Sequence, residues 1–447
     1  MTGATGGSTR VVEADVAIVG AGAAGLSLAH RLSDPAPGGA RPSVVLLEAP
    51  PGPLQPPPRT WCSWQAGPGR WEEAVAASWR RLRVRDRNGS ATALATGPLR
   101  YTMIRSRDFE ALAGRDLARR GGVLRLEATV GQVCDAPGGA EARAVTRDGA
   151  PLAVRARWLF DTRPPPAPPP ARTTLLQHFH GWFLTTREPA FDPATVELMD
   201  FRTPQPPRGL SFGYVLPTGP RTALVEYTEF SARPLEPQAY EAALRHYAEN
   251  VLGLGERHIT GTETGAIPMT DGRLAPRAGR SVFRLGTAGG ATRPATGYTF
   301  AAVQRQAGAV AAALRAGRRP VPPPAYPARA RAMDAVLLRA LATGRVEGAA
   351  FFPRLFREVP AGRLLRFLDG RTRPHEDLAV GLRTPVGPML RTAAELPLLR
   401  RRPAAGPWPR ASRPAPPPAR PPAAPATAPA DQADHAATVP TAPSDEE

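Results

Sequence analysis

The sequence predicts an α/β fold in which a parallel, doubly wound sheet is joined to a second sheet and a set of helices. Three observations support this prediction. A strand at about 14–19, a glycine-rich turn, a helix to about Leu32 and a strand ending at Glu48 form a β-turn-α-β unit. Residues 172–264 contain several short apolar strands. Residues 328–400 have the apolar spacing of helices.

The charge and the cysteines narrow the class of protein. The formal net charge is +18, and every basic residue is arginine. The arginines are scattered and no nucleic-acid-binding motif is present, so no nucleic-acid partner is expected. Cys62 and Cys134 have neither the spacing of a metal site nor that of a disulfide framework. Because no signal pattern and no apolar run of about 18–20 residues is found, we expect a soluble or peripheral protein of the cytoplasm.

The first glycine-rich turn is the clearest functional motif. Gly20, Gly22 and Gly25 form the pattern Gly-x-Gly-x-x-Gly between a strand and a helix. Such glycines let the backbone turn tightly and approach a pyrophosphate at the helix N-terminus. Glu48, at the end of the next strand, is placed to bind the ribose hydroxyls. The motif predicts a dinucleotide site and leaves FAD and NAD both open.

A second glycine-rich turn far down the chain favours FAD. The segment 286–300, GTAGGATRPATGYTF, follows a strand and leads into a long helix. Flavoproteins of the glutathione-reductase and hydroxylase type return to the flavin at such a place. Thr287 and Ala288 stand where many of these proteins have an aspartate, so backbone amides and the helix dipole would make the contact. The candidate cofactor residues here are Gly286, Gly289, Gly290, Thr296 and Gly297.

These motifs define the expected domains. Residues 13–163 and 265–320 should form a Rossmann-type FAD-binding domain of the glutathione-reductase and hydroxylase kind. An antiparallel β-sheet substrate domain, residues 172–264, is inserted into it, and residues 328–400 supply C-terminal helices. Residues 1–12 are expected to be a flexible leader, and the proline- and alanine-rich residues 401–447 a disordered tail.

One predicted strand contains a carboxylate in an unexpected place. The stretch TALVEYTEF, residues 222–230, follows a hairpin turn, and Glu226 lies in the middle of its apolar run. Burial there would raise the pKa of Glu226 and make it a proton donor. The alternative is a glutamate that reaches water or pairs with an arginine such as Arg221. Glu229 should lie on the opposite face of the strand and be solvated.

Eight short motifs in order resemble those of the bacterial flavoprotein lycopene cyclases. The motifs are RTWCSW (59–64), IRSRDFE (104–110), LLQHFHGW (175–182), LMDF (198–201), YVLP (214–217), LVEYTEFS (224–231), GAIPMTD (265–271) and the second glycine turn. The resemblance covers about residues 14–320, with weaker similarity to about residue 370.

The resemblance implies a non-redox isomerase of carotenoid biosynthesis. The linear ends of lycopene, or of a related acyclic carotene, would be closed into β-ionone rings, giving gamma-carotene and beta-carotene. FAD would be needed in its reduced form, with NAD(P)H as a possible reductant. The alternatives are an FAD-dependent monooxygenase or prenyl reductase of the same fold, and a carotenoid carrier without catalysis.

The resemblance also assigns roles to single residues. It makes Glu226 the essential acid, and Asp200 a group that stabilises the cation or relays the proton, unless it is an arginine-paired structural carboxylate. Arg105 would bind FAD phosphates or surface acids. Four aromatic side chains would line the substrate site or belong to the core: Trp61, Trp64, Trp182 and Tyr298. His178 and His180 lack a third ligand, so no metal is expected.

An insoluble substrate implies contact with a membrane. We expect peripheral association with the inner face of the cell membrane, because lycopene must be taken from a bilayer. The candidate entrance lies in residues 328–370, at Phe351, Phe352, Leu355 and Phe356; a plain helical core is the alternative.

Overall fold

A computed structural model describes residues 9–35 and 41–403 of the chain. The strands in this part are β1 (Arg10–Val19), β2 (Val44–Glu48), β3 (Thr60–Gln65), β4 (Val75–Trp79), β5 (Arg81–Arg85), β6 (Ala91–Ala95), β7 (Arg100–Arg105), β8 (Val123–Ala136), β9 (Gly139–Thr146), β10 (Pro151–Asp161), β11 (Thr174–Thr186), β12 (Thr195–Asp200), β13 (Leu210–Pro217), β14 (Thr222–Ser231), β15 (Arg257–Thr270) and β16 (Val282–Arg284). The α-helices are α1 (Ala23–Leu32), α2 (Ser106–Arg120), α3 (Pro237–His246), α4 (Phe300–Arg315), α5 (Ala328–Ala342), α6 (Gly348–Glu358), α7 (Ala361–Leu368), α8 (Pro374–Gly381) and α9 (Val386–Glu395).

The first sheet is the doubly wound one. Its parallel strands lie in the order β8, β2, β1, β10, β16, and β9 runs antiparallel between β8 and β10. The central strands β1 and β2 are continuous apolar runs at their buried ends, as strands covered on both faces must be. Helices α1, α2 and α4 share one hydrophobic core with one face of this sheet.

The second sheet has seven strands in the order β15, β11, β14, β13, β12, β5, β6. All neighbours are antiparallel except β12 and β5, which run parallel. Helix α3 covers one face, where Tyr240 and Leu244 join a core with Trp182 and Val225. Helices α5, α6 and α7 share a core with apolar residues of the sheet that include Leu224 and Phe230.

A third, three-stranded antiparallel sheet in the order β3, β7, β4 lies against the second. Its side chains Tyr101 and Met103 share a hydrophobic core with Leu224 of β14 and Leu338 of α5. On its other side, Trp61 and Ile104 belong to the core of the doubly wound sheet. The three-stranded sheet therefore connects the two halves of the molecule.

Several elements differ from the sequence-based expectation. Strand β1 begins at Arg10, inside the expected leader, because it pairs in parallel with β10 from the Arg10–Leu152 pair onward. The second sheet takes β5 and β6 from the N-terminal half of the chain, so its strands are not confined to 172–264. At the C-terminal end, Arg402, which lies within the expected tail, forms a backbone bridge with Ala171. The rest of the leader (1–8) and of the tail (404–447) lies outside the described residues.

The expected membrane entrance on α6 is buried. Phe351, Phe352, Leu355 and Phe356 are all at most 6% exposed and belong to the core that covers the second sheet. Phe352 stacks against Phe201 of the segment that follows β12, with ring centroids 6.3 Å apart. The amphipathic pattern of this helix therefore reflects packing, and the prediction of a lipid entrance at these residues is wrong.

Candidate active site

The two glycine-rich turns meet at the N-terminal end of α1. The Gly20 amide donates to the carbonyl oxygen of Leu47, 2.8 Å away, which places this turn beside Glu48. A Cβ on Gly25 would lie 1.9 Å from the Gly20 carbonyl oxygen, and a Cβ on Gly286 would lie 2.6 Å from Ala24 Cβ. These close approaches require glycine, and they bring the first turn and the second turn together.

Three positions near these turns have the features of a binding surface. A Cβ on Gly22, the residue that precedes α1, would meet no atom within 4 Å among the described residues other than its neighbours in the chain. Thr296 Oγ1 and Gln177 Oε1 are buried without a hydrogen-bond partner in the described residues. Glu48 is half-buried and pairs with Arg125 at 2.7 Å. Space at Gly22 and unpaired oxygens at the second turn fit a dinucleotide held between the turns.

A row of four residues crosses the second sheet at its centre. Backbone pairing aligns Tyr214 on β13 with Glu226 on β14, Glu226 with Gly181 on β11, and Gly181 with Glu263 on β15. Paired residues of neighbouring strands point to the same face of a sheet. Two carboxylates and a tyrosine therefore project together, with a glycine between the carboxylates.

Glu226 is a buried carboxyl group without a charge partner. It is 7% exposed, and no donor among the described residues hydrogen-bonds to its side chain. Burial, and secondarily the negative charge of Glu263, raises the pKa of Glu226 well above its ordinary value. This shift favours the protonated form, which is the state a general acid needs.

Glu263 is buried too, and burial leaves its pKa above the ordinary value, although its hydrogen-bond partners favour the charged form. Its Oε1 accepts a hydrogen bond from the Thr60 amide at 2.7 Å, and its Oε2 accepts one from the Thr60 hydroxyl at 2.5 Å. Burial raises the pKa of Glu263, while these bonds and the charges of Arg59 and Arg105 lower it. Thr60 begins β3, so the three-stranded sheet is anchored at this end of the row.

The other end of the row is held by a chain of tyrosines. Tyr101 on β7 shares hydrogen bonds with Tyr214 at 2.8 Å and with Tyr298 at 3.1 Å. The Trp64 ring lies 4.2 Å from the Tyr101 ring and 6.1 Å from that of Tyr298. Burial raises the pKa of the nearby Cys62 thiol to about 12, so this group is neutral. The acid thus lies in an aromatic, water-poor environment.

A small cavity joins this aromatic group to the second turn. Cys62, Trp64, Tyr298, Thr299 and Ala302 border it, at the N-terminal end of α4. Trp64 of the aromatic group and Tyr298 and Thr299 of the second turn therefore line the same space.

The opposite face of the second sheet holds different polar groups. Glu229 is buried there: it lies 3.8 Å from His178 and accepts a hydrogen bond from Tyr227 at 3.1 Å. It is not solvated, because α3 covers this face. Burial lowers the pKa of His178 to about 4, and its ring is hydrogen-bonded to Ser231 and Tyr240. Within the described residues, no cluster of His, Cys, Asp and Glu side chains could hold a metal.

The structure does not bring Asp200 to Glu226. Asp200 is fully buried, pairs with Arg202 at 2.6 Å and accepts a hydrogen bond from Tyr247 at 3.0 Å. A Cβ on Gly213 would collide with the Tyr247 ring, so Tyr247 covers the sheet face opposite Tyr214 and Glu226. Asp200 belongs to that face.

Three other sequence-predicted residues also lie apart from the acid. Trp61 stacks on Phe300, with ring centroids 5.5 Å apart, in the core of the doubly wound sheet. Trp182 is buried with α3 on the face opposite Gly181. Arg105 lies over the Phe183 ring at 4.7 Å, near Glu263. Trp64 and Tyr298 are the predicted lining residues that reach the site.

Sequence reasoning missed Gly181, Glu263, Tyr101 and Thr60. Two of them left a signal in the sequence. Gly181 is an isolated glycine inside a strand, which marks a close approach of neighbouring groups. Glu263 is an acid inside a strand that leads into the GAIPMTD motif. Their connection depends on strand register, which neither signal contains.

The chain was compared with known families and structures. A family model described as "Lycopene cyclase protein" matches residues 15–394. No curated protein matches the chain. Among the described residues, no helix has both the length and the hydropathy needed to cross a bilayer.

Solved structures with the same fold are flavoproteins of low sequence identity. A geranylgeranyl bacteriochlorophyll reductase-like protein from Thermoplasma acidophilum has a TM-score of 0.54 at 16% identity, covering 86% of this chain and 97% of that one. A flavoprotein/dehydrogenase from Cytophaga hutchinsonii has a TM-score of 0.58 at 11% identity, covering 86% and 99%. A flavin-dependent brominase has a TM-score of 0.52 at 16% identity, covering 80% and 94%. These similarities show the fold alone.

Proposed function

Because the chain belongs to the lycopene cyclase family, we propose that it is a lycopene beta-cyclase that closes linear carotene ends into β-ionone rings. The observation that supports this best is the buried Glu226, whose pKa burial raises, beside the aromatic group of Tyr101, Trp64 and Tyr298. An alkene is a weak base, so its protonation needs a dry, positioned acid and a means to stabilise the cation.

The proposed reaction begins with proton transfer from Glu226 to the terminal double bond. The neighbouring alkene then attacks the resulting carbocation and closes the ring, and a ring carbon loses a proton. One proton enters and one leaves, so the product has the composition of the substrate. The π faces of Trp64 and Tyr298 attract the positive charge while it exists.

The residues at the two glycine turns fit FAD. Gly20, Gly22 and Gly25 would hold the pyrophosphate of FAD, and Glu48 would hold its ribose. The second turn, with Thr296, would contact the flavin part of the cofactor. When bound in its reduced form, with NAD(P)H as the expected reductant, the flavin supplies negative charge beside the developing cation. We infer that Asp200 has a structural role, because its partners Arg202 and Tyr247 lie on the face of the sheet opposite to Glu226.

Gly22→Ala tests the cofactor site. A Cβ at position 22 meets no protein atom, so the apoprotein should keep its stability, yet the Cβ enters the space expected for the pyrophosphate. We expect flavin affinity to fall by about tenfold or more, or about 1.4 kcal/mol. The measurement is flavin titration by fluorescence, with thermal unfolding of the apoprotein. Gly255→Ala, at another open position, should change neither quantity; equal affinity of Gly22→Ala and the parent would remove Gly22 from the site.

The exposed apolar residues of α8 and α9 supply the proposed membrane surface. Leu378, Leu382 and Leu390 are each at least 62% exposed. Exposed arginines lie close to them in the sequence at Arg383, Arg391 and Arg400, whereas Glu376, Asp377 and Glu395 of the same helices are each paired with an arginine. Exposed leucines together with exposed positive charge in the same segment fit an anionic bilayer.

Leu378→Ser combined with Leu382→Ser tests this surface. Each leucine that enters the bilayer contributes roughly 1.5 kcal/mol or more, so the loss of both should weaken binding about a hundredfold or more. The measurement is co-sedimentation with vesicles of phosphatidylglycerol and phosphatidylcholine. Leu124→Ser, at an exposed leucine of β8, serves as the control. If the double variant and the control bind equally well, the membrane contact lies elsewhere.

Expression in cells that accumulate lycopene tests the proposed function. A cyclase gives a product with the mass of lycopene. A monooxygenase of this fold would add oxygen, and a prenyl reductase would add hydrogen. Unchanged lycopene beside a folded, flavin-loaded chain would refute the proposal.

A further inference from the structure

A second carboxyl group faces the acid across a glycine. Glu226 and Glu263 lie on strands that both pair with β11, and Gly181 of β11 is the residue opposite each of them. Two strand spacings separate the two glutamate backbones by roughly 10 Å. Their side chains extend over the glycine from both sides.

Gly181 places no side chain of its own between the two glutamates. A Cβ there would lie 2.6 Å from Glu226 Cγ and 3.3 Å from its Oε1. The Glu226 side chain thus lies over the glycine, toward Glu263. A like charge in this buried position acts through a medium that screens it little.

The two groups differ in their donors. Glu263 accepts two hydrogen bonds from Thr60 and lies near Arg59 and Arg105, while Glu226 receives no such bond from any described residue. Donors to a carboxylate favour its charged form. The unequal supply of donors therefore favours the negative charge on Glu263 and the proton on Glu226.

The other polar groups that face Glu226 carry no charge that would change this distribution of proton and charge. Tyr101 of β7 is buried, and Tyr214 of β13 and Cys62 of β3 are half-buried. Loss of solvent raises the pKa of each, so they are neutral at physiological pH. The cations near the row, Arg59 and Arg105, act on Glu263. Glu263 is thus the charge that bears on Glu226.

We propose that Glu263 is a positioning residue for the reaction. Hydrogen bonds from Thr60 hold its carboxylate in place and favour its negative charge, and this charge keeps the catalytic proton on Glu226 across the gap at Gly181. Its consequence for turnover rests on the proposed cyclase function. The proton distribution itself does not, and it can be measured on the protein without substrate.

Glu263→Gln is the test. Glutamine has the same shape and still accepts the Thr60 amide proton, but the negative charge is gone. The pKa of Glu226 should then fall by about one unit or more. Infrared difference spectroscopy of the flavin-loaded protein reports this pKa as the pH at which the protonated carboxyl band of Glu226 disappears. The band is assigned by its absence in Glu226→Gln.

Glu263→Asp separates charge from shape, because it keeps the charge and shortens the side chain. Its midpoint should stay within about half a unit of the parent's. An unmoved midpoint in Glu263→Gln, or equal drops in both variants, would overturn the proposal. So would a protonated carboxyl band that is present at neutral pH in Glu226→Gln and absent in Glu263→Gln, since the proton would then reside on Glu263.

Turnover gives the second readout. The alkaline limb of the pH–rate profile should move to lower pH in Glu263→Gln by the same interval as the infrared midpoint. If the parent forms no ring from lycopene although the infrared midpoints move as expected, the proposed function fails and the carboxyl pair stands. If rings form and neither readout moves, the inference about Glu263 fails alone.

Discussion

Replacing Glu226 with glutamine is expected to lower the rate of ring closure by about a hundredfold or more while FAD binding is retained. Glutamine has the same shape but no acidic proton, and general acid catalysis typically contributes factors of this size. Glu226 lies on the second sheet, whereas the glycine turns belong to the first, so the flavin spectrum should not change. The measurement is product formation from lycopene by the purified, flavin-loaded variant.

Glu229→Gln is the matched control for this prediction. Glu229 lies three residues further along β14, is 5% exposed, and points to the opposite face against His178 and Tyr227. Both substitutions remove one buried carboxyl group from the same strand. Glu229→Gln should therefore keep most of the turnover. Parental turnover in Glu226→Gln, or equal losses in both variants, would remove the specific role of Glu226.

Gly181→Ala should be nearly as damaging, although it removes no reactive group. The added Cβ would lie 2.6 Å from Glu226 Cγ and 3.1 Å from Leu224 Cδ1, so the acid has to move. Displacement of a catalytic group by about 1 Å can lower a rate about a hundredfold. The overpacking should also destabilise the fold by roughly 1–3 kcal/mol. Turnover and denaturant unfolding measure the two effects.

Gly261→Ala supplies the control on the neighbouring strand. Gly261 pairs with Phe183 on β11, and its Cβ would meet Phe183 Cδ2 at 3.8 Å, an ordinary contact. This variant should keep both turnover and stability. Full turnover in Gly181→Ala would show that the space beside Glu226 is not needed.

The sequence predicted the doubly wound half of the fold well because its signals are local. The spacing of Gly20, Gly22 and Gly25 between a strand and a helix specifies a structure of about thirty residues, in which each feature lies next to the one it supports. The strand at 222–231 and its buried Glu226 could be predicted in the same way, since an apolar run that contains a carboxylate is visible in the sequence.

The rest of the site depends on contacts between distant segments. Glu263 and Glu226 face each other because β11 pairs with both of their strands, and register between strands so far apart in sequence is set by the whole sheet. The alternation of side chains along a strand assigns Trp182 and Asp200 each to one face of the second sheet. It does not show which of the two faces the three-stranded sheet covers.

The C-terminal helices show the same limit. The apolar pattern of α6 required a partner surface, and the sequence could not tell the core of the second sheet from a bilayer. In the structure, Phe351 and Phe352 are in the core, while Leu378 and Leu390 of the following helices are exposed. Packing against β5, β6 and β13, two of which come from the N-terminal half, decides this.

Ring formation in deuterium oxide tests the central claim most directly. The exchangeable proton of Glu226 becomes a deuteron, and the proton lost at the end comes from a carbon of the substrate. The flavin-loaded enzyme, with its flavin reduced beforehand, should convert lycopene into a product that carries one deuterium in each ring, without stoichiometric consumption of NAD(P)H. A ring without deuterium, or a product with added oxygen or a pair of added hydrogens, would contradict proton-initiated, redox-neutral cyclisation.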